Sequence, residues 1–151
     1  MDSIVRYLPI GLNIAGKKIL LVGGGKVACQ KIRRLRPFTK NLTVVSRKIS
    51  GGVKKTGVKC VQKSYSPACL KNVFLVYACT DDPTLNRRIK SDAQRRGILV
   101  NVVDNPSVSD FISPAVYRKG MMTVAVSSDG RSARRSVHLR DRIEKLLRDK
   151  P

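Results

Sequence analysis

Acidic residues are scarce in this sequence: ten Asp and Glu stand against 31 Lys and Arg, a formal charge of +21. Such a field concentrates anions, whether nucleic acid, an acidic membrane face or a small polyanionic substrate. Charge alone does not choose among these. The basic residues are scattered, as at Arg33, Arg34, Lys54, Lys55, Arg87 and Arg134, rather than gathered in one tail. Aromatics are few as well, four Tyr and three Phe with no Trp. So thin a stacking surface, with no recognisable nucleic-acid motif, argues against specific nucleic-acid binding. No apolar run approaches the ~20 residues that span a bilayer, and the N-terminus has no signal-peptide core. The expectation is a soluble cytoplasmic protein without a membrane attachment. Cysteine is limited to Cys29, Cys60, Cys69 and Cys79, with no CxxC pair. Buried free thiols are predicted in preference to a metal site or disulfides.

What is present is a regular alternation. The chain, at 151 residues, can bury a real core as one domain or one domain with an appendage. Strands are predicted at Lys17–Val22, Asn41–Val45, Val58–Val61, Val73–Ala78 and Ile98–Val103. Helices are predicted at Lys26–Leu35, ended by Pro37, and at Pro83–Arg96. Asp81 or Asp82 would cap the second helix, and Gly97 would follow its C-terminus. The apolar runs lack strict alternation, which suits a parallel sheet covered on both faces. Strand and helix in this order make an α/β, doubly wound pattern. Gly51 and Gly52 read as an exposed loop. After Asp104 the character changes, with strands predicted at Phe111–Val116 and Met121–Ser127 around an Arg118-Lys119-Gly120 turn. A charged helix, Ser132–Leu147, closes the chain.

The stretch Gly23-Gly24-Gly25-Lys26-Val27-Ala28 fits G-x-G-x-x-G/A between a predicted strand and a predicted helix. Gly23 would permit the tight turn, Gly25 would let backbone approach a pyrophosphate, and Ala28 would allow close helix–strand packing. The helix N-terminus then receives the phosphate charge. Dinucleotide binding is therefore predicted. No Gly-Lys-Ser/Thr follows, so a Walker-type loop is not. At the end of the second strand an acid normally holds the adenosine ribose, but this chain has Ser46-Arg47-Lys48. A cation there would accept the 2′-phosphate of NADP; alternatively Ser46 contacts the ribose while Arg47 and Lys48 stay in solvent. Asp104 follows the last predicted parallel strand, where a base for dehydrogenation should sit. It equally reads as the start of a turn before Asn105-Pro106.

Beyond the glycine loop, the ordered stretches are Tyr7-Leu8-Pro9-Ile10, Ala78-Cys79-Thr80-Asp81-Asp82 with Asn86, and Asn101-Val102-Val103-Asp104. Phe111-Ile112-Ser113-Pro114-Ala115 and Val124-Ala125-Val126-Ser127-Ser128, with Gly130 and Ser132, complete them. Taken together, the chain resembles the precorrin-2 dehydrogenase/sirohydrochlorin ferrochelatase family, including the N-terminal module of sirohaem synthases. The resemblance covers nearly the whole chain. It implies a Rossmann-like domain over residues 1–105 and a dimerisation and substrate segment over 106–151, cut short at its C-terminus. It also implies NAD-dependent oxidation of precorrin-2 to sirohydrochlorin, with ferrous iron as a further substrate in some members. Its residues carry over as Asp104 for catalysis and Lys26, Val27, Arg47, Lys48 and Thr80 for the cofactor. Asn101 is expected at cofactor and substrate, and Ser128 in the substrate region. The family lacks the ribose acid and still uses NAD, so NAD is expected, with NADP left open. A homodimer is implied, and a polyanionic tetrapyrrole gives the positive field a rationale other than nucleic acid.

Ser132-Ala133 departs from the Ser-Pro common in the family, and the basicity exceeds what the family leads one to expect. His138, the single histidine, is predicted to be a solvated or interface residue. With Asp104 it makes no convincing metal site. The competing reading is a regulatory nucleotide-sensing module, which would need the glycine loop but neither Asp104 nor the Phe111–Ser128 segment.

Overall fold

A computed structural model describes residues 6–103 and 105–148. They form two compact units, one of residues 10–111 and the other of residues 6–9 with 112–148.

In the larger unit the elements run β1 (Lys18–Val22), α1 (Lys26–Leu35), β2 (Leu42–Ser46), α2 (Gly51–Lys54) and β3 (Lys59–Gln62), then β4 (Val73–Ala78), α3 (Pro83–Gln94) and β5 (Leu99–Val102). The strands make one parallel sheet in the order β3-β2-β1-β4-β5. The chain winds outward from β1 to β3, then crosses back to β4 and on to β5. That reversal opens a crevice beyond the C-terminal ends of β1 and β4, the standard ligand position in such sheets.

Side chains of β1 alternate between two cores. Ile19 and Leu21 join Ala28 and Ile32 of α1, while Leu20 and Val22 join Ile89 and Ala93 of α3. Both faces are thus covered, which explains the unbroken apolar runs. Truncating a wholly buried side chain such as Ile32 would cost about 2–5 kcal/mol. Tyr65, before β4, donates its hydroxyl to Asp92 Oδ2 of α3 at 3.1 Å, and Arg95 pairs with the same carboxylate. Asp82 caps α3, accepting the Thr84 and Leu85 N–H groups at 2.8 and 3.2 Å.

The open edge of β5 is closed by the backbone and side chains of Ser109 and Asp110. Asp110 N–H donates to Val100 O at 2.8 Å, and Val100 N–H returns to Asp110 Oδ2 at 3.0 Å. Ser109 Oγ accepts the Val102 N–H at 2.9 Å, and Lys90 Nζ holds Asp110 Oδ1 at 3.2 Å.

Several expectations need correction. Gly51 and Gly52 are not loop but the first turn of α2, because Ser50 Oγ accepts the Val53 N–H at 3.3 Å and Val53 is buried. Cys60 is exposed, since β3 is an edge strand with one face in solvent; Cys29, Cys69 and Cys79 are buried free thiols.

In the smaller unit, β6 (Ala115–Lys119) and β7 (Met122–Val126) form an antiparallel hairpin, followed by α4 (Ala133–Arg148). The first of these strands starts later than expected, past Pro114, which has no N–H to give a ladder. The hairpin closes on Gly120-Met121, with Gly120 at φ +57, one residue beyond the expected turn. Arg140 Nη1 donates to Val116 O at 3.3 Å, tying the helix to the hairpin. No helix among the described residues is long and apolar enough to cross a membrane.

Candidate dinucleotide site

Three successive glycines follow β1, and their surroundings differ. Gly23 sits at φ +116, and a Cβ on it would lie 2.5 Å from Cys79 O. A Cβ on Gly24 would lie 2.3 Å from Lys48 O. A Cβ on Gly25 would meet nothing within 4 Å. The first two positions are therefore closed by the protein's own backbone, whereas the third faces open space. Gly25 is the N-cap of α1, where no side chain caps the helix and no acid stands in its first turn. An anion placed there gains about 0.3–1 kcal/mol from the helix terminus. Ala28 is wholly buried, so the helix packs close against the sheet as its small side chain predicts.

Two further loops flank these glycines. Ser46 ends β2 half-buried, and Arg47 and Lys48 follow it exposed. That loop is fastened to the glycines by Ser50 N–H, which donates to Gly24 O at 2.8 Å. Thr80 follows β4, directly beside Gly23. Its hydroxyl donates to Asn86 Oδ1 at 2.6 Å, while Asn86 Nδ2 donates to Thr80 O at 3.0 Å. Gly23 and Gly25, the first turn of α1 with Lys26, Val27 and Ala28, Ser46 at the end of β2, Arg47, Lys48 and Thr80 thus lie at one end of the sheet.

Asn101, in β5, is buried at 5% exposure and pairs across the ladder with Tyr77. Its Nδ2 donates to Phe111 O at 2.8 Å, but Oδ1 has no hydrogen-bond partner among the described residues. A buried acceptor left unpaired costs roughly 1–3 kcal/mol, so this atom calls for a donor. Asp104 lies outside the described residues. Its neighbours are held: Val103 N–H donates to Ala78 O and Asn105 N–H to Val102 O, each at 3.1 Å.

Ser128 belongs to the smaller unit. Its Oγ donates to Ser132 O at 3.0 Å and accepts the Ser132 N–H at 2.9 Å. It also accepts Ser136 Oγ at 3.1 Å. The hydroxyl is fully engaged in shaping the turn into α4, where Asp129 and Gly130 adopt φ of 50° and 72°. His138 is exposed on that helix. Among the described residues no group of three or more His, Cys, Asp or Glu could hold a metal ion.

Sequence reasoning quoted Gly24 and Asn86 within its motifs but gave neither a role in building the site, and it missed Ser50 altogether. For Asn86 a signal existed: it occupies the apolar stripe of α3 with Ile89 and Ala93, where an amide is out of place unless it has a partner.

Comparison with known proteins agrees with this geometry. A family model described as NAD(P)-binding matches residues 10–115. A siroheme synthase of Azotobacter vinelandii is 39% identical over 142 residues, which is 91% of this chain and 31% of that protein. One from Nitrosococcus oceani is 39% identical over 147 residues, 95% of this chain and 31% of its own length. The chain therefore spans about a third of the curated relatives it matches. Among solved structures, SirC, a precorrin-2 dehydrogenase, superposes with a TM-score of 0.73 at 27% identity, covering 93% of this chain and 69% of that one.

Proposed function

The chain belongs to the NAD(P)-binding family whose model spans residues 10–115, and from that premise we propose that it oxidises precorrin-2 to sirohydrochlorin with NAD. Support comes from the siroheme synthase relatives, from the likeness to SirC, and above all from the open position at Gly25. The residues fit a dinucleotide. Gly25 and the uncapped start of α1 leave room and positive potential for a pyrophosphate. The unpaired Asn101 Oδ1 would accept a hydrogen bond from an amide such as the carboxamide of nicotinamide.

Lys26 and Val27 would border the pyrophosphate, and Ser46, Arg47 and Lys48 the adenosine ribose. Thr80 and Asn101 would flank the nicotinamide. The oxidation removes a hydride, for which bound nicotinamide supplies the acceptor, and a proton, which passes to a base or to water. Asp104, by resemblance, is that base. Ser128 would act in the substrate region by holding its turn, and Arg131, Arg134 and Arg135 beside it suit a polyanionic tetrapyrrole. The same smaller unit would make a homodimer, supported by Met121 and Met122, which are 95% and 75% exposed.

Anaerobic incubation with precorrin-2 and NAD, followed by visible absorption, tests the reading. Conversion supports it, whereas NAD binding without conversion would favour a nucleotide-sensing module. Ferrous iron added to sirohydrochlorin, set against its spontaneous insertion, tests whether the protein also metallates its product.

A further inference from the structure

Asn86 lies on α3, not on any loop that borders the glycines, yet both of its amide hydrogen bonds go to Thr80. It is only 9% exposed, packed in line with Ile89 and Ala93 on the face that α3 turns to the core. A helix needs no amide there: an alanine or leucine would cost less to bury and would favour the helix more. The amide is explained by what it holds. Its Oδ1 accepts a hydrogen bond from the Thr80 hydroxyl at 2.6 Å and its Nδ2 donates to the Thr80 carbonyl at 3.0 Å, so Thr80 is gripped by side chain and backbone together. The same hydroxyl accepts the Asp82 N–H at 3.3 Å, which joins the grip to the cap of α3. On the other side, the backbone of Cys79 and Thr80 lies so close to Gly23 that no Cβ fits between them. The turn after β4 is thus clamped between the glycine loop and α3.

We infer that Asn86 is a positioning residue for coenzyme binding, fixing through Thr80 the wall of the crevice opposite the glycines. The inference rests on the dinucleotide reading of that crevice. A reciprocal amide clamp sets one rotamer and one carbonyl direction at Thr80. Without it, the turn must be ordered when coenzyme binds, and affinity falls by the cost of that ordering.

The experiment is NAD titration by calorimetry, with hydrogen exchange over residues 79–82, on wild type, Asn86→Ala, Asn86→Asp and Thr80→Val. Asn86→Asp is nearly isosteric but cannot donate to the Thr80 carbonyl, so it serves where alanine impairs folding. Both Asn86 variants are expected to weaken NAD binding roughly tenfold or more and to speed exchange in the turn. In the Thr80→Val background, Asn86→Ala should cost less than it does alone, because half of the clamp is already gone. An Asn86→Ala protein with a lower melting temperature but wild-type NAD affinity and wild-type exchange at 79–82 would reduce the residue to ordinary packing and overturn the inference. If wild type itself binds no dinucleotide, the functional reading falls and this one with it. If wild type binds and both variants match it, only the role of Asn86 falls.

Discussion

Gly24 and Lys48 meet backbone to backbone: a Cβ on the glycine would stand 2.3 Å from the lysine carbonyl oxygen. Two residues on, Ser50 N–H reaches the Gly24 carbonyl at 2.8 Å. The loops after β1 and β2 are therefore one body. The backbone of Arg47 and Lys48, the cations that stand where an acid normally reads the ribose, is set relative to the glycine loop by that contact, while their side chains reach into solvent.

This separates two substitutions that look alike in the sequence. Gly24→Ala puts a methyl group into backbone that cannot rotate away, and should cost about 1–3 kcal/mol of stability. Gly25→Ala meets no protein atom, so its stability should stay within about 0.5–1 kcal/mol of wild type. It should nonetheless weaken NAD binding at least about tenfold, because the methyl group occupies the space a pyrophosphate needs. Thermal melts and coenzyme titration on the pair decide it. Wild-type NAD affinity in Gly25→Ala would place the phosphate elsewhere.

Tyr65 gives a pH dependence of known sign. Burial, then the charge of Asp92 and the hydrogen bond to it, push the phenol well above its ordinary range. In the unfolded chain the group ionises near pH ~10. Above that pH the native state holds a proton that the unfolded state releases, so stability must fall as pH rises further. Below it the contribution is complete. Tyr65→Phe should therefore cost about 1–2 kcal/mol at neutral pH, and the gap to wild type should narrow above pH ~10. Urea melts of both proteins across pH 8–11 measure this; a gap that widens with alkali would mean the phenol is not the proton holder.

What could be read in the residues, and what could not, divides along physical lines. Lys26–Leu35 and Val73–Ala78 were legible to the residue, because Gly25 and Pro37 bound the first and the second is an unbroken apolar run between Asn72 and the polar Thr80-Asp81-Asp82. The cap of α3 was legible to within one residue, as Asp81 or Asp82, and Asp82 is the one that caps. Gly51 and Gly52 misled, since glycine disfavours helix locally while the Ser50 cap and the burial of Val53 impose one turn. Cys60 misled because an edge strand has an exposed face that its neighbours in sequence do not announce. The need for Gly24 lies in a contact with Lys48, and the need for Asn86 in a contact with Thr80. Neither pair is visible until the chain is folded.

The proposed place of Arg47 and Lys48 at the adenosine ribose makes them the residues that would set which dinucleotide the crevice prefers. Both are exposed, so their attraction for a phosphate is screened and modest, on the order of 1 kcal/mol each. Replacing both by alanine should weaken NADP binding roughly tenfold while changing NAD binding by about threefold or less. Competition titrations at low and physiological salt separate the two, since the NADP loss should shrink as salt rises. Equal losses for both dinucleotides would show that the cations bind the shared pyrophosphate instead.

Asp104 offers the sharpest division between a catalytic and a merely structural carboxylate. The backbone on either side is tied to the sheet by Val103 N–H on Ala78 O and Asn105 N–H on Val102 O. Those bonds do not involve the carboxylate, so they survive its replacement. If Asp104 takes the proton, Asp104→Asn should lower kcat by about 10²–10⁴-fold and leave both NAD affinity and melting temperature near wild type. If it only starts the turn into Asn105-Pro106, asparagine serves that turn equally well and turnover should persist. Stopped-flow absorbance of precorrin-2 oxidation at saturating NAD reads the difference. Full turnover in the asparagine variant would leave the proton to water, with the glycine loop and Thr80 still holding the coenzyme.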